Sequence, residues 1–269
     1  MQAQTPPATQ LKRIIVNATR TVACESPDHI HPWGTRRDNS RNRRFNQKIN
    51  LLFGRERGAL WLLDMGCSGG GFVKDCIDDG CVAVGLEGSD HSKRMRRAEW
   101  RTIPEFLFTA DITAPFEIQA EFESGVFPVQ FDVVTCWEVI EHIAEKDLQM
   151  VAENVKEHLK PDGLWIMSVS VSDDIVDGVN LHQTVKPYDW WVEKFKSFGL
   201  HHLPQYIPYF NTQFVRGPKY LAGGSFHLVL STNPEKAPHI PKEPFSHRLY
   251  DRWLGCAVQR LLRYAIVGL

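Results

Sequence analysis

The sequence lacks paired cysteines and long apolar runs. Its six cysteines are scattered and none forms a CxxC pair, so we predict reduced thiols inside the core. No uninterrupted apolar stretch is long enough to span a bilayer. The first residues, MQAQTPPATQ, lack the charged-then-apolar pattern of a secretion signal. Together these absences predict a cytoplasmic protein.

An excess of charge is lacking as well. The formal net charge of -1 argues against a protein whose whole surface binds nucleic acid, but it is compatible with local basic patches that do. The 269 residues, 43% of them hydrophobic, are enough for one sizeable α/β core with appendages. We predict an N-terminal tail and basic lid segment (1–57), a central domain (58–232), and a proline-rich linker with a C-terminal helix (233–269).

The most informative stretch is LWLLDMGCSGGG, residues 60–71. A short apolar run is typical of a strand buried on both faces, and here it is followed by Asp64 and a turn of small residues. Apolar residues then recur at helical spacing, so the order strand, glycine loop, helix is predicted, with helix N-terminal amides facing a ligand. The alternative is a plain structural turn, because glycine-rich turns have several uses.

The second predicted strand specifies the kind of ligand. It runs from Cys81 to Leu86 and ends at Glu87, about 20 residues beyond the glycine turn, where an acid can accept hydrogen bonds from both ribose hydroxyls. A phosphate-binding GxxxxGK[ST] loop would need a Lys followed by Ser or Thr, and neither is in place. A ribose-bearing cofactor is therefore predicted.

Three further apolar runs continue the alternation of strands and helices. Phe106 to Ala110 ends at Asp111, which could accept a hydrogen bond from a base amino group at the sheet edge. The other two runs are FDVVTC (131–136) and LWIMSVSV (164–171), with a helical stripe between them. Five strands separated by helices predict an α/β fold with a doubly wound parallel sheet.

These motifs resemble a known family. LLDMGCSGGGF, VGLEGSD, TADI, FDVVTCWEVIEHI and LKPDGLW are similar to the class I S-adenosylmethionine-dependent methyltransferases, particularly the type 11 and type 23 groups. The resemblance covers roughly residues 59–232, and it departs from the common GxGxG only at Ser68. It implies a Rossmann-like, seven-stranded sheet, mostly parallel, with helices on both faces and an antiparallel last strand at Ser225 to Ser231.

The resemblance also assigns the cofactor-binding residues for S-adenosyl-L-methionine. It implies that the methionine end is held by Asp64 and by the glycine loop, whose residues are Gly66, Cys67, Ser68 and Gly69. It places the ribose at Glu87 and its neighbour Gly88. The adenine is expected at Asp111 and Ile112, and the sulfonium at Cys136 and Trp137. A helix at Asp189 to Phe198 and a sixth strand near Leu203 to Ile207 are expected before the last strand.

Two histidines are the predicted catalytic bases. A hydroxyl acceptor loses a proton when it is methylated, and histidine is the usual base near neutral pH. His142 follows the fourth strand, and His182 lies in the loop after the fifth. The alternatives are that His142 only caps or packs the following helix and that His182 only hydrogen-bonds within its loop.

A divalent metal is another interpretation of the same residues. Glu138, Glu141 and His142 are spaced to share one face of a helical turn, and His182 could complete a site of oxygen and nitrogen ligands. Such ExxEH sequences resemble the metal-binding set of small-RNA ribose methyltransferases and of some quinone-biosynthesis O-methyltransferases. Most type 11 members with EVIEH are not known for a metal.

Basic residues concentrate before the glycine loop. That segment, with His29, His31 and Trp33, is either a solvated loop leading into a helix near Asn46 to Phe53 or a lid over the cofactor or an anionic acceptor. Its cations are Arg36, Arg37, Arg41, Arg43, Arg44 and Lys48. A second basic stretch, HSKRMRRAEWR, predicts a solvated helix from about Ser92.

The segments that flank the predicted sheet leave several alternatives open. Leu11 to Val22 is interpreted as a short strand or helix, and the stretch 113–130 as a loop. YFNTQFVRGPKYLAGG (209–224) is either an acceptor-side flap or a surface excursion. Ser246 to Val267 predicts a basic amphipathic helix that docks on the domain, on a protein partner or on an anionic membrane, which would make the protein membrane-associated.

The function predicted from these features is S-adenosylmethionine-dependent methyl transfer, forming an O-methyl group on a small molecule, a glycan or a lipid-linked acceptor. One alternative is metal-assisted RNA ribose methylation, in which the arginine-rich segment would bind nucleic acid. The other is a partner subunit that binds the cofactor without catalysis.

Overall fold

The structure is a computed structural model that describes residues 11–30, 32, 38–54, 59–216, 225–249 and 251. Its strands are β1 (Arg13–Ala18), β2 (Trp61–Met65), β3 (Val82–Glu87), β4 (Leu107–Thr109), β5 (Phe116–Phe122), β6 (Gly125–Pro128), β7 (Phe131–Trp137), β8 (Leu159–Ser170), β9 (Ile175–Val176), β10 (Val179–Asn180), β11 (His201–His202) and β12 (Ser225–Ser231). Its α-helices are α1 (Pro27–Ile30), α2 (Arg43–Phe53), α3 (Gly71–Asp78), α4 (His91–Arg94), α5 (Leu148–His158), α6 (Tyr188–Ser197), α7 (Tyr206–Phe210) and α8 (Phe245–Leu249).

The central sheet has seven strands in the order β11-β12-β8-β7-β2-β3-β4. Neighbours from β8 to β4 are parallel, whereas β12 runs antiparallel to both β8 and β11. The chain builds outward from β2 to β4 and then returns to β7 on the other side of β2, so the strand order reverses between β2 and β7. The predicted fold class is confirmed, and such a reversal opens a crevice at the carboxyl ends of the strands.

Both faces of this sheet are covered. Trp61, Leu63 and Met65 belong to one buried apolar cluster and Leu62 to the other, as expected where side chains alternate across a strand. Helices α5 and α6 contribute to the first cluster, and α2, α3 and α7 contribute to the second. Because β2 is buried along its whole length, its sequence is apolar at every position except Asp64.

A second sheet was not predicted. β1, β5 and β6 form a three-stranded antiparallel sheet in which Ile14 faces Ala120. The interpretation of 113–130 as a loop is therefore wrong for β5 and β6, and the open choice for Leu11 to Val22 is decided in favour of a strand. Alternating burial along β5 shows that one face of this sheet joins the core.

Two predicted elements were wrong in kind or place. The basic helix expected from Ser92 is a single turn, α4, because Arg96 and Ala98 adopt positive φ angles of 47° and 45°, which end a helix. The expected sixth strand near Leu203 to Ile207 is instead β11, which pairs with β12, followed by α7. Pro204 lies between them and has no N–H for a sheet ladder.

The C-terminal segment contacts the helix before the glycine loop. The Lys48 ammonium is fully buried and lies 2.7 Å from Glu243 and 2.8 Å from Asp251. Arg44 also donates to Asp251. Beyond α8 and Asp251, the predicted helix at Ser246 to Val267 lies outside the described residues, and the three-part division of the chain remains a prediction. Within the described ranges, no helix is both long and apolar enough to cross a membrane.

Candidate active site

A cavity of about 830 Å³ lies at the carboxyl ends of the central strands. It is lined by residues that end or follow β2, β3, β4, β7 and β8, so it occupies the crevice that the reversal in strand order creates. Seven predicted cofactor residues line it, namely Gly66, Ser68, Glu87, Gly88, Asp111, Ile112 and Trp137. Both predicted catalytic histidines line the same cavity.

The glycine loop has little room for a larger residue. Gly66 has a φ angle of 80°, and a Cβ built on it would lie 2.3 Å from a methyl carbon of Val139. The amides of Gly66 and Cys67 both donate to the Leu86 carbonyl, at 2.8 and 2.9 Å. The loop that follows β2 is thereby fixed to the end of β3, and Gly66 is required by both its conformation and its packing.

Glu87 connects the loop to the predicted ribose site. Its carboxylate accepts hydrogen bonds from the backbone N–H groups of Ser68, at 2.6 Å, and Ser89, at 3.1 Å. Burial raises the pKa of the Glu87 carboxyl to about 7, against the opposing effect of these two amides. A carboxylate has acceptor positions for about four hydrogen bonds, so two are left for a ligand in the cavity.

Four predicted cofactor residues, Asp64, Cys67, Gly69 and Cys136, lie outside the lining of this cavity. Asp64 is buried in β2 and accepts a hydrogen bond of 2.7 Å from the Thr135 hydroxyl. Burial raises the pKa of Asp64 to about 8 and the pKa of both thiols well above the usual range. The contacts predicted for these four residues with the methionine end and the sulfonium therefore remain predictions.

The predicted adenine residue Asp111 has a partner that sequence reasoning missed. Its Oδ2 lies 3.2 Å from Nε of Arg20, and its Oδ1 accepts from the backbone and the hydroxyl of Thr113. Arg20 also lines the cavity. No motif signals this arginine, because it lies in a segment that the sequence predicts only as a strand or helix.

The other end of the cavity brings Glu141, His142 and His182 together. One ligand atom from each lies within 4.8 Å of the other two, and the histidine rings meet edge to face with centroids 4.6 Å apart. Glu141 and His142 follow β7 on one 3-10 turn, and His182 lies in the loop after β10. Glu138, expected in the same group, lies outside it, and its Oε2 accepts from the Ser225 hydroxyl at 3.0 Å.

Several polar atoms at this end are unsatisfied. Oε1 of Glu138, Oε2 of Glu141 and Nδ1 of His142 are buried with no hydrogen-bond partner in the part of the chain that the structure describes. Burial and the nearby Glu138 raise the pKa of Glu141 well above its usual range. Burial, together with His182, lowers the pKa of His142 to about 3, so this imidazole is neutral at physiological pH.

In its described part, the segment before the glycine loop contributes Asp38 to the cavity lining, and its arginines are paired. Arg43 lies 2.9 Å from Asp79 and Arg41 lies 3.5 Å from Asp75, away from the cavity lining. Asp38 does line the cavity and pairs with Arg216 of the predicted acceptor-side flap at 2.9 Å. His31, Trp33, Arg36 and Arg37, which carried the other part of the lid hypothesis, lie outside the described residues, as does the flap from 217 to 224.

Comparison with curated proteins finds relatives named ubiquinone biosynthesis O-methyltransferase. The chain is 30% identical to the protein of Haemophilus ducreyi over 46% of this chain and 50% of that protein. It is 27% identical to the protein of Salmonella paratyphi A over 69% of this chain and 78% of that protein. For the former, and for relatives from Actinobacillus pleuropneumoniae and Pasteurella multocida, the chain spans about half the length of the relative.

Similar folds are found among solved structures, at low identity. The PH0226 protein from Pyrococcus horikoshii is 17% identical and aligns over 76% of this chain and 98% of that chain, with a TM-score of 0.49. The glycopeptide N-methyltransferase MtfA, solved with S-adenosyl-L-methionine, is 14% identical over 71% and 94%, with a TM-score of 0.44. A family model described as a methyltransferase domain, type 23, matches residues 37–214, well over half of the chain. The chain therefore belongs to this methyltransferase family, and its resemblance to class I S-adenosylmethionine-dependent methyltransferases is confirmed.

Proposed function

We propose that the protein is an S-adenosylmethionine-dependent O-methyltransferase that acts on a small molecule, a glycan or a lipid-linked acceptor. One observation carries this proposal: a single cavity is lined at one end by the glycine loop, Glu87 and Asp111, and at the other by His142 and His182. A cofactor at the first end would direct its methyl group toward a group of side chains suited to binding and deprotonating a hydroxyl.

The chemistry defines what this chain must do. A bound cofactor would supply a methyl group from its sulfonium to the acceptor oxygen, leaving a neutral thioether, and the acceptor proton would pass to a base. Positive charge disappears from the sulfur, so alignment and exclusion of water are the main contributions of the protein. His182 donates from Nδ1 to the Ser172 carbonyl, which fixes its tautomer and leaves the lone pair on Nε2, which would take the proton when no cation is bound and ligate the cation when one is.

His142 suits a different task. A base with a pKa of about 3 is a weak proton acceptor at neutral pH, whereas a neutral imidazole is the form that ligates metals. We propose that Glu141, His142 and His182 hold a divalent cation, with Glu138 next to them, because the unsatisfied carboxylate oxygen and ring nitrogen are the donors such an ion takes. A bound cation would lower the pKa of an acceptor hydroxyl.

RNA ribose methylation is not favoured. That reaction was linked to nucleic-acid binding by the arginine-rich segment, but the cations described there are already paired. Arg41, Arg43, Arg44 and Lys48 all lie within ion-pair distance of Asp or Glu side chains. Paired cations have fewer counterions to release from a phosphate backbone, so they contribute less to nucleic-acid affinity.

Calorimetric titration with S-adenosylmethionine and S-adenosylhomocysteine tests the cofactor site. We expect dissociation constants on the order of micromolar and a loss of about 10-fold to 100-fold in Glu87→Ala, because up to two charge-assisted hydrogen bonds disappear. Glu123→Ala, an exposed glutamate outside the cavity lining, should bind like the wild type. Folded wild-type protein that binds neither compound would contradict the proposal.

Titration with Mn²⁺, followed by the electron paramagnetic resonance signal of the free ion, tests the metal site. We expect one Mn²⁺ per chain and at least about 10-fold weaker binding in Glu141→Gln, which keeps the shape of the side chain but loses a carboxylate ligand. Glu193→Gln on the exposed side of α6 is the matched control. Equal binding by Glu141→Gln and the wild type would exclude this ligand set.

A further inference from the structure

A short stretch of chain before the matched family region crosses the predicted adenine end of the cavity. We call residues 19–23, which follow β1, the N-terminal strap. The Asp111 amide donates to the Arg20 carbonyl at 2.9 Å, and the Ala23 amide donates to the Gly88 carbonyl at 2.9 Å. The Thr19 amide donates to the Pro115 carbonyl at 3.1 Å. The strap is therefore bound by its backbone to the loops after β3 and β4.

The Arg20 side chain contacts both Asp111, the predicted adenine-site acid, and Thr113, which donates hydrogen bonds to that acid. Its Nε lies 3.2 Å from Oδ2 of Asp111, while one terminal nitrogen donates to the carbonyl of Thr113 at 3.1 Å and to its hydroxyl at 2.9 Å. The Thr113 hydroxyl donates in turn to Oδ1 of Asp111 at 2.6 Å. A guanidinium group has several donors in a fixed fork, so one planar group holds the carboxylate and its neighbour together.

The Asp111 carboxylate keeps an acceptor position for a ligand. Oδ1 of Asp111 accepts from the Thr113 amide and hydroxyl, whereas Oδ2 forms an ion pair with Arg20, so an acceptor position on Oδ2 stays available. Asp111 is only 5% exposed, and both it and Arg20 line the cavity. An acceptor fixed in this orientation suits an exocyclic amino group and is repelled by a carbonyl oxygen at the same place.

We propose that Arg20 is a positioning residue for the adenine site, which makes Asp111 select a 6-amino purine over a 6-oxo purine. The proposal rests on the proposed function, because it assumes a cofactor with a purine base at this end. It goes beyond the family assignment, since the matched region begins at residue 37 and Arg20 precedes it. Arg20 acts through Asp111 rather than on the reacting atoms.

The test compares S-adenosylhomocysteine with S-inosylhomocysteine, in which the 6-amino group is replaced by a carbonyl. In calorimetric titrations we expect the wild type to prefer the adenosyl compound by about 10-fold or more. Arg20→Gln should bind the adenosyl compound about 10-fold more weakly and show a smaller preference. Arg20→Lys keeps the charge without the fork, so its preference should be intermediate. Arg13→Gln, which replaces an exposed arginine on β1, should match the wild type.

A double-mutant cycle with Asp111→Asn isolates the coupling. If Arg20 acts through Asp111, Arg20→Gln should weaken binding at least about threefold less in the Asp111→Asn background than in the wild type. Equal weakening of both compounds in Arg20→Gln, or unchanged binding, would overturn the inference while leaving the cofactor site intact. Failure of the folded wild type to bind the adenosyl compound would overturn the proposed function and, with it, this inference.

Discussion

The cavity has two ends, which we name after the proposed function: the cofactor end, at Glu87 and Asp111, and the acceptor end, at Glu141, His142 and His182. They differ in whether their polar atoms have hydrogen-bond partners. At the cofactor end, Glu87 accepts from two backbone amides, and Asp111 accepts from Thr113 and forms an ion pair with Arg20. At the acceptor end, Glu141 and His142 each bury an atom that has no partner among the described residues. The two acids of the cofactor end are thus held by neighbouring groups of the chain, whereas at the acceptor end the described residues leave a carboxylate oxygen and a ring nitrogen for a ligand.

This difference has an energetic meaning. A buried polar atom without a partner costs about 1–3 kcal/mol, so such atoms persist where function requires them. The hydrogen bonds of the cofactor end instead preorganise its loops, which reduces the ordering that binding would otherwise require. We therefore expect backbone changes to damage the cofactor end most, and ligand binding to stabilise the acceptor end most.

The largest effect is expected from Gly66→Ala at the cofactor end. The residue has a φ angle of 80°, and the new Cβ would lie 2.3 Å from Val139. The left-handed conformation costs about 1–2 kcal/mol and the overpacking about 1–3 kcal/mol. Urea unfolding should show a loss of roughly 2–5 kcal/mol, and S-adenosylhomocysteine binding should fall more than 10-fold.

Gly88→Ala is the matched control for this change. Gly88 also lines the cavity, but a Cβ there would meet only the Ala23 methyl carbon, at an ordinary 3.4 Å. We expect its stability to stay within about 1 kcal/mol of the wild type. If Gly66→Ala were as stable as Gly88→Ala, the cofactor loop would be less constrained than its geometry indicates.

The next largest effect is the rise in Tm that a ligand at each end of the cavity causes. A ligand at 100 times its dissociation constant stabilises the folded protein by about 2.7 kcal/mol, which raises Tm by several degrees. We expect Mn²⁺ to produce such a shift in the wild type and little or none in Glu141→Gln, in a thermal unfolding assay. The shift caused by S-adenosylhomocysteine should be the same in both proteins. Loss of both shifts in the variant would show that the two ends are not independent.

Much of the central sheet could be predicted from the sequence because its parallel strands are buried on both faces. The predicted apolar runs, Leu60 to Leu63 and Cys81 to Leu86, lie mostly within β2 and β3, and the strands continue beyond them to Met65 and Glu87. β12 was predicted with its observed bounds, Ser225–Ser231, from the family resemblance. The second sheet carries signals that the prediction did not use, because β5 alternates apolar and polar residues and Ser124-Gly125 marks the turn to β6.

The residues of the candidate site could be predicted where they follow a strand with a recognisable motif. They could not be predicted where they lie in segments without a motif. Glu87 and Asp111 follow parallel strands, so spacing alone places them at the same sheet edge. His182 was found through its residue type and its position after the fifth strand. Arg20 and Arg216 reach the cavity from segments with no periodic pattern, and their pairing with Asp111 and Asp38 depends on tertiary structure.

The smallest effect concerns the pH dependence of stability at the cofactor end. Burial raises the pKa of Asp64 to about 8 in the folded protein, from an ordinary value of 3.8. Between these values the folded state holds a proton that the unfolded state releases, so stability that is present below pH 4 is lost as the pH rises toward 8. Each pH unit in that window removes on the order of 1 kcal/mol.

Asp64→Asn tests this effect because the amide is neutral at every pH and can still accept from Thr135. Relative to the wild type, its free energy of unfolding should rise by on the order of 1 kcal/mol between pH 5 and pH 6, measured by urea unfolding. Asp177→Asn, which replaces an exposed aspartate at a φ angle of 51° that Asn tolerates, is the matched control. A difference between Asp64→Asn and the wild type that is constant with pH would mean that Asp64 is ionised in the folded protein, and the cofactor end would then hold a buried charge next to its glycine loop.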